Sequence, residues 1–175
     1  MNEMPKTVRE VLQAIHDMGN AKAQEVGQMT LGSLRDALRA LPPETPIVLD
    51  GPGSHPTSLA SYRGYYERLA FSWGDTDNAE TVLHGGGPAF DAPYLGRYTP
   101  GASSVEIKHP ATAADVIAAL DLADGEEFEG YKGGQNAMDS GTWLHVADYG
   151  DIGPAVVGLA MSGDGFAVIQ TAEVD

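Results

Sequence analysis

Thr30-Leu31-Gly32-Ser33-Leu34-Arg35-Asp36-Ala37-Leu38-Arg39-Ala40-Leu41-Pro42-Pro43, continued by Glu44-Thr45-Pro46-Ile47-Val48-Leu49-Asp50, is the stretch that decides the fold. A helix starts at Thr30, because Leu31, Leu34, Leu38 and Leu41 recur on one face at the helical period. Pro42-Pro43 ends it, since proline has no amide hydrogen to donate and its ring clashes with the preceding turn. Ile47-Val48-Leu49 then reads as a short buried strand, and Asp50-Gly51-Pro52-Gly53 as a turn. An amphipathic helix that runs into a buried strand buries both apolar faces in one core.

The same order returns later in the chain. Thr112 caps a helix bearing Val116, Ile117 and Leu120, Asp124-Gly125 ends it, and residues 128–131 form a candidate strand. Placing Thr30 on Thr112 puts Leu34 on Val116, Ala37 on Ala119 and Leu38 on Leu120, with the following turn one residue shorter. Two related helix–strand units are therefore expected, although two capped amphipathic helices align this well without common descent. Upstream, Thr7-Val8-Arg9-Glu10 has the form of a capping box before the apolar stripe Val8, Val11, Leu12 and Ile15. Gly19-Asn20 ends that helix, and residues 20–28 read as a linker.

The last third is β-rich. Residues 142–147, 155–161 and 166–171 are apolar segments separated by glycine-bearing turns, and Ser162-Gly163-Asp164-Gly165 suits a hairpin. Residues 69–73 and 105–109 are further strand candidates. Between them, 74–104 is glycine- and proline-rich and unusually long for a connection in a small domain. The expected fold class is α+β: two related helix–strand units plus a C-terminal antiparallel β-meander in one compact domain. Residues 1–28 supply an N-terminal helix and linker, and 29–175 the core with its long loop at 74–104.

At 175 residues the chain suits a single domain, large enough to bury about 70% of its unfolded surface without a covalent staple. Cysteine is absent, which excludes disulfides, iron–sulfur clusters and thiol catalysis and suits a reducing compartment. The first residues show helical periodicity rather than a basic segment before an apolar block, and no apolar run reaches the ~20 residues of a membrane span. A cytoplasmic protein is expected, with no membrane association.

Charge is strongly polarised. There are 25 acidic and 10 basic residues, and from Pro110 onward twelve acids stand against one base, Lys132. Direct nucleic-acid binding is not expected, because phosphate contacts need a basic face. The positions where cations survive are therefore the informative ones. Lys132 lies in Gly130-Tyr131-Lys132-Gly133-Gly134, and Arg63 in Ser61-Tyr62-Arg63-Gly64-Tyr65-Tyr66. Arginine offers a fixed fork of donors for phosphate or carboxylate, glycines let backbone approach a ligand, and tyrosine rings stack or hydrogen-bond. Arg63, Lys132, Tyr62, Tyr65, Tyr66, Tyr131, Gly133 and Gly134 are the candidate ligand-binding residues. The competing structural reading makes the tyrosines core, Arg63 an internal ion pair and Lys132 a solvated turn residue.

Magnitudes permit an anionic ligand despite the net charge. An acid 15 Å away opposes it by about 0.3 kcal/mol in water, whereas a charge-assisted hydrogen bond contributes roughly 1.5–3 kcal/mol. Asp121, Asp124, Glu126, Glu127 and Glu129 read either as an imitation of a phosphate backbone or as a solvated helix end. They lack the ligand spacing of a calcium loop. His84-Gly85-Gly86-Gly87 matches an esterase oxyanion loop, but no GxSxG accompanies it. The histidines at 16, 55, 84, 109 and 145 are scattered, and in His145-Val146-Ala147-Asp148 the i and i+3 side chains of a strand point to opposite faces. No metal site, cofactor or catalytic residue is predicted.

Taken in order, LxxALxxLPxxxPIVLD (34–50), SYRGYYxxLA (61–70), TxxDVxxAL (112–120), FxGYKGG (128–134), Met138 and WxxxADYG (143–150) resemble a group of small acidic bacteriophage and prophage proteins, especially of actinobacterial phages. The resemblance covers roughly residues 30–158. The chain departs from that pattern in its added N-terminal helix, its longer 74–104 segment, and Gln135-Asn136 where an acid and an aromatic are commoner. The resemblance implies phage origin and no defined activity. The expected function is non-enzymatic binding of a small anionic, nucleotide-like ligand, with sequestration of a host immune signal as its purpose. The alternative is an acidic nucleic-acid mimic that inhibits a basic host protein, of the anti-CRISPR or anti-restriction type. Oligomeric state stays open, a homo-oligomer included.

Overall fold

The computed structural model describes residues 27–50, 54–62, 65–75, 80–81, 95–96, 105–106, 111–129, 135–148 and 151–173. The architecture is mixed α+β. Helix α1 spans Leu31–Arg39 and α2 spans Ala113–Ala123. Strands β1 (Ile47–Leu49), β2 (Ser54–Tyr62), β3 (Tyr65–Asp75), β4 (Glu80–Thr81), β5 (Leu95–Gly96), β6 (Val105–Glu106), β7 (Glu127–Glu129), β8 (Gln135–Ala137), β9 (Leu144–Asp148), β10 (Asp151–Met161) and β11 (Ala167–Ala172) complete it. The main sheet runs β1-β11-β10-β9-β3-β2-β5, while β4-β6 and β7-β8 form separate pairs.

Both helices begin on the threonines that the periodicity singles out. Thr30 and Thr112 sit in extended backbone and accept from the amides of Ser33 and Asp115, whose side chains reach back to the cap amides. Leu31, Leu34 and Leu38 are fully buried, as the apolar stripe requires, and α1 ends at Ala40 before Pro42-Pro43. Gly125 ends the α2 turn with φ +90, a left-handed conformation that costs glycine least. The first amides of α2 find their partners outside the helix: Ala113 N donates to Thr45 O and Ala114 N to Pro43 O, at 2.8 and 2.9 Å. Residues 43–47 thereby seat α2 beside the start of β1.

Locally, then, the two helix–strand stretches follow the same order, but their strands go to different places. β1 joins the main sheet, parallel to β11 in the register Ile47↔Ala167 to Leu49↔Ile169. β7 pairs instead with β8, antiparallel, outside that sheet. The C-terminal strands pair antiparallel, β9 with β10 and β10 with β11, and the hairpin at 162–165 falls between 161 and 167. β9 also pairs β3 in parallel, Leu69↔Leu144 to Phe71↔Val146, which makes the sheet mixed.

Four strands, β2, β4, β5 and β8, lie where none is expected. β2 carries Pro56, which reads as a turn signal, yet the ladder shifts register between Pro56 and Ser58 and so spares proline a hydrogen bond it cannot make. Within 74–104, β4 and β5 are two residues each, too short to leave a period in the sequence. The N-terminal helix expected before residue 20 lies outside the described residues.

One core cluster joins the helices to one face of the sheet: Leu31, Leu34 and Leu38 of α1, Val116 and Leu120 of α2, and Ile47, Leu69, Phe71, Leu144, Val156 and Ile169 from the strands. Each such side chain contributes about 1.5–3 kcal/mol through its removal from water. The alternate residues of β3 and β9 fall on the opposite face, where Ala70 and Ala147 form a small second cluster, and Trp73 packs against both clusters. Trp73 Nε1 donates to Ala147 O at 2.8 Å.

Candidate functional site

Arg63, Tyr131, Lys132, Gly133 and Gly134 lie outside the described residues, as does His84-Gly85-Gly86-Gly87. Of Tyr62, Tyr65 and Tyr66 the backbone is described: Tyr62 ends β2, Tyr65 opens β3, and the two are register partners at the end of that ladder. Tyr62 and Tyr65 therefore mark one end of the long β2–β3 pairing, away from the Leu59↔Phe71 stretch that enters the core.

The acidic run is partly committed to the helix interface. Arg35 of α1 donates from Nη1 to Asp124 Oδ2 at 2.8 Å and to Asp121 Oδ1 at 3.2 Å, and its side chain is 14% exposed. Arg39, one turn later, donates from Nη2 to Asp121 Oδ1 at 3.0 Å. The hydrogen bond to Asp124, with the charges of both aspartates, pushes the Arg35 guanidinium above its ordinary value. Two of the five carboxylates in the run thus neutralise arginines across α1 and α2, whereas Glu126 and Glu127 are exposed.

A second polar cluster, which sequence reasoning did not find, sits on the sheet face away from the helices. His145 pairs with Ala155 on β10 and with Ala70 on β3, and these small neighbours leave room for a ring between the strands. Its Nδ1 lies 3.1 Å from Gly153 O, which can only accept, so Nδ1 carries the hydrogen. Nε2 is then a lone-pair acceptor, and it takes N–H groups from Gln28 at 2.9 Å and from Arg68 at 3.1 Å. Gln28 Nε2 also donates to Leu144 O at 2.8 Å. Burial, reinforced by the Arg68 charge against the raising effect of Gly153, lowers the His145 pKa to about 4. The ring is neutral at ordinary pH, with its tautomer set by three neighbours.

The backbone around this cluster is unusual. β9 and β10 pair as far as His145↔Ala155, and there the ladder opens. Met29 enters the gap: its N donates to Val156 O at 2.7 Å and its O accepts from Leu144 N at 3.1 Å. Leu31 N continues the contact to Thr142 O at 2.8 Å, and Thr30 bridges Trp143. Residues 28–31 are thus a strap that stands in for a strand. The expected linker over 20–28 ends in a residue, Gln28, that is 7% exposed and hydrogen-bonded into the sheet. The register break between Ile152 and Ala155 also aims the Gly153 carbonyl at the ring and accommodates Pro154, which has no amide to donate.

Sequence gave no signal for Gln28 or Arg68, because neither shares a local spacing with His145. Among the described residues no three His, Asp or Glu side chains gather where they could hold a metal ion. No helix among them is long and apolar enough to cross a membrane. No family model, curated protein or solved structure matches the chain.

Proposed function

We propose that the protein is a non-enzymatic binder of a small anionic, nucleotide-like ligand, with Arg63 and Lys132 on the anion and Tyr62, Tyr65, Tyr66 and Tyr131 stacking on or bonding to it. Gly133 and Gly134 admit the ligand close to the backbone. The observation that carries this reading is the commitment of the described cations. Arg35 and Arg39 are bound to Asp121 and Asp124, and Arg68 to His145. In a chain with 10 bases and 25 acids, recognition of an anion falls to cations elsewhere, and Arg63 and Lys132 are set among tyrosines and glycines. The register pairing of Tyr62 with Tyr65 supports it too, since the end of a two-stranded ladder brings two aromatic residues side by side around Arg63-Gly64. In the phage setting suggested by the motifs, the ligand is a host signalling nucleotide and the role is sequestration. The two related helix–strand units, if they descend from one, would place Arg63 and Lys132 after equivalent elements.

The nucleic-acid-mimic reading draws less support, because Asp121 and Asp124 already face α1 and are not free to present a phosphate-like row. Mass spectrometry of the small molecules released on denaturing freshly purified protein tests the proposal, together with melting shifts across a nucleotide panel. A retained nucleotide, or a melting shift lost in Arg63→Ala and Lys132→Ala, is the expected result; each substitution should weaken binding about 10- to 150-fold. No released molecule and no shift with any nucleotide would overturn it. Salt-sensitive capture of a basic protein, abolished by charge reversal over 121–129, would favour the mimic instead.

A further inference from the structure

We propose that His145 is an acid-operated latch holding the Gln28–Leu31 strap in the gap between β9 and β10. The inference does not depend on the ligand-binding reading. It rests on a conflict built into the cluster. His145 Nε2 accepts from two N–H donors at once, Gln28 and Arg68, at 2.9 and 3.1 Å, while Nδ1–H is spent on Gly153 O. A proton arriving at Nε2 turns the acceptor into a third donor, so both contacts become donor against donor. Arg68 of β3 brings a positive charge to the ring, the strap a neutral amide and β10 a carbonyl. The new imidazolium therefore meets a guanidinium as well.

Gln28 has one way to respond, and it costs the strap a bond. Its Oε1 is buried without a hydrogen-bond partner, so rotating the amide would offer that oxygen to the new Nε2–H. The same rotation takes the amide hydrogen away from Leu144 O and sets two oxygens against each other at the present 2.8 Å. Either orientation leaves the strap short of one of its two side-chain anchors, and neither relieves the repulsion from Arg68. What then holds residues 28–31 is the packing of Met29 and Leu31 on the core and three backbone bonds: Met29 N to Val156 O, Leu144 N to Met29 O and Leu31 N to Thr142 O. Because β9 and β10 do not pair directly beyond His145↔Ala155, loss of the strap opens the sheet there.

Amide hydrogen exchange by NMR on the whole chain, read as protection factors against pH, tests the latch. The Met29 and Leu144 amides should lose protection by about 10- to 100-fold as pH falls from about 6.5 to about 4, and throughout should exchange faster than the Leu159 and Ile169 amides of the β10–β11 ladder, which report global unfolding. In His145→Gln, which keeps an acceptor near the Nε2 position and cannot be charged, the Met29 and Leu144 protection should stay flat over the same range. Should that variant fail to fold, the wild-type comparison of ring titration with strap protection decides alone. Strap amides that keep their protection while the ring takes its proton would overturn the proposal. So would an equal loss in His145→Gln, or strap amides protected as strongly as Leu159 and Ile169, which would mean exchange by global unfolding rather than a local release.

Discussion

Acidification should destabilise this protein through His145 by an amount that can be worked out in advance. The ring has a folded pKa of about 4 against an ordinary value of 6.5. Above the ordinary value both folded and unfolded chains carry it neutral, and it costs nothing. As pH falls from 6.5 towards 4 the unfolded chain binds the proton and the folded one does not, so folding stability drops with falling pH. Below about 4 both states are charged and the loss levels off. At about 1.36 kcal/mol per unit of pKa difference, the loss amounts to between about 2 and 3 kcal/mol by roughly pH 4.5, a large share of the stability of a domain this size. Carboxylates begin to titrate in the same range, and the chain has 25 of them, so the wild type alone cannot isolate the effect. Urea unfolding of wild type and His145→Gln at about pH 7.5 and about pH 4.5 does so, because both proteins share every carboxylate. The wild type should lose between about 2 and 3 kcal/mol more than the variant over that interval. Parallel pH profiles would refute the buried, neutral, tautomer-locked ring.

Three further outcomes follow from the packing. Arg35→Ala should cost about 1–3 kcal/mol in urea unfolding, since it strips a mostly buried cation from Asp124, whereas Arg39→Ala, half exposed, should stay within about 1 kcal/mol; equal losses would show that the interface does not depend on Arg35 burial. Gly32→Ala should lower the urea midpoint although alanine favours a helix by about 1 kcal/mol, because its Cβ would lie 3.0 Å from both Ser140 O and Ser140 Cβ; a stabilised variant would mean the α1 start does not press on that turn. Phe71→Ala, from a fully buried position facing the helices, should lose about 3–5 kcal/mol, and a loss below about 1 kcal/mol would place Phe71 outside the core.

Much of the local structure was legible in the residues. The Leu31, Leu34, Leu38 stripe, the threonines at 30 and 112, and Pro42-Pro43 locate α1, the cap of α2 and the start of β1, because each acts within a few residues of itself. β2 was hidden, since proline reads as a breaker wherever it occurs and the register shift that excuses Pro56 is a property of two strands together. The candidate ligand residues were chosen on composition alone: isolated cations between tyrosines and glycines. The His145 cluster escaped because its partners stand 117 and 77 residues away, and a glutamine in an apparent linker carries no local mark of burial.

What the chain dictated by itself is the sequence of segments and their hidden faces, for hydrophobic period, caps and prolines are short-range effects that any unfolded stretch already contains. Which strands became neighbours was a matter for the assembled molecule. β1 lies against β11, β3 against β9, and Met29 between β9 and β10, and each pairing joins parts of the chain too distant for local preference to select. The same holds for chemistry. An imidazole stays a neutral acceptor down to about pH 4 only after the sheet has taken it from water and set an amide and a guanidinium against its lone pair.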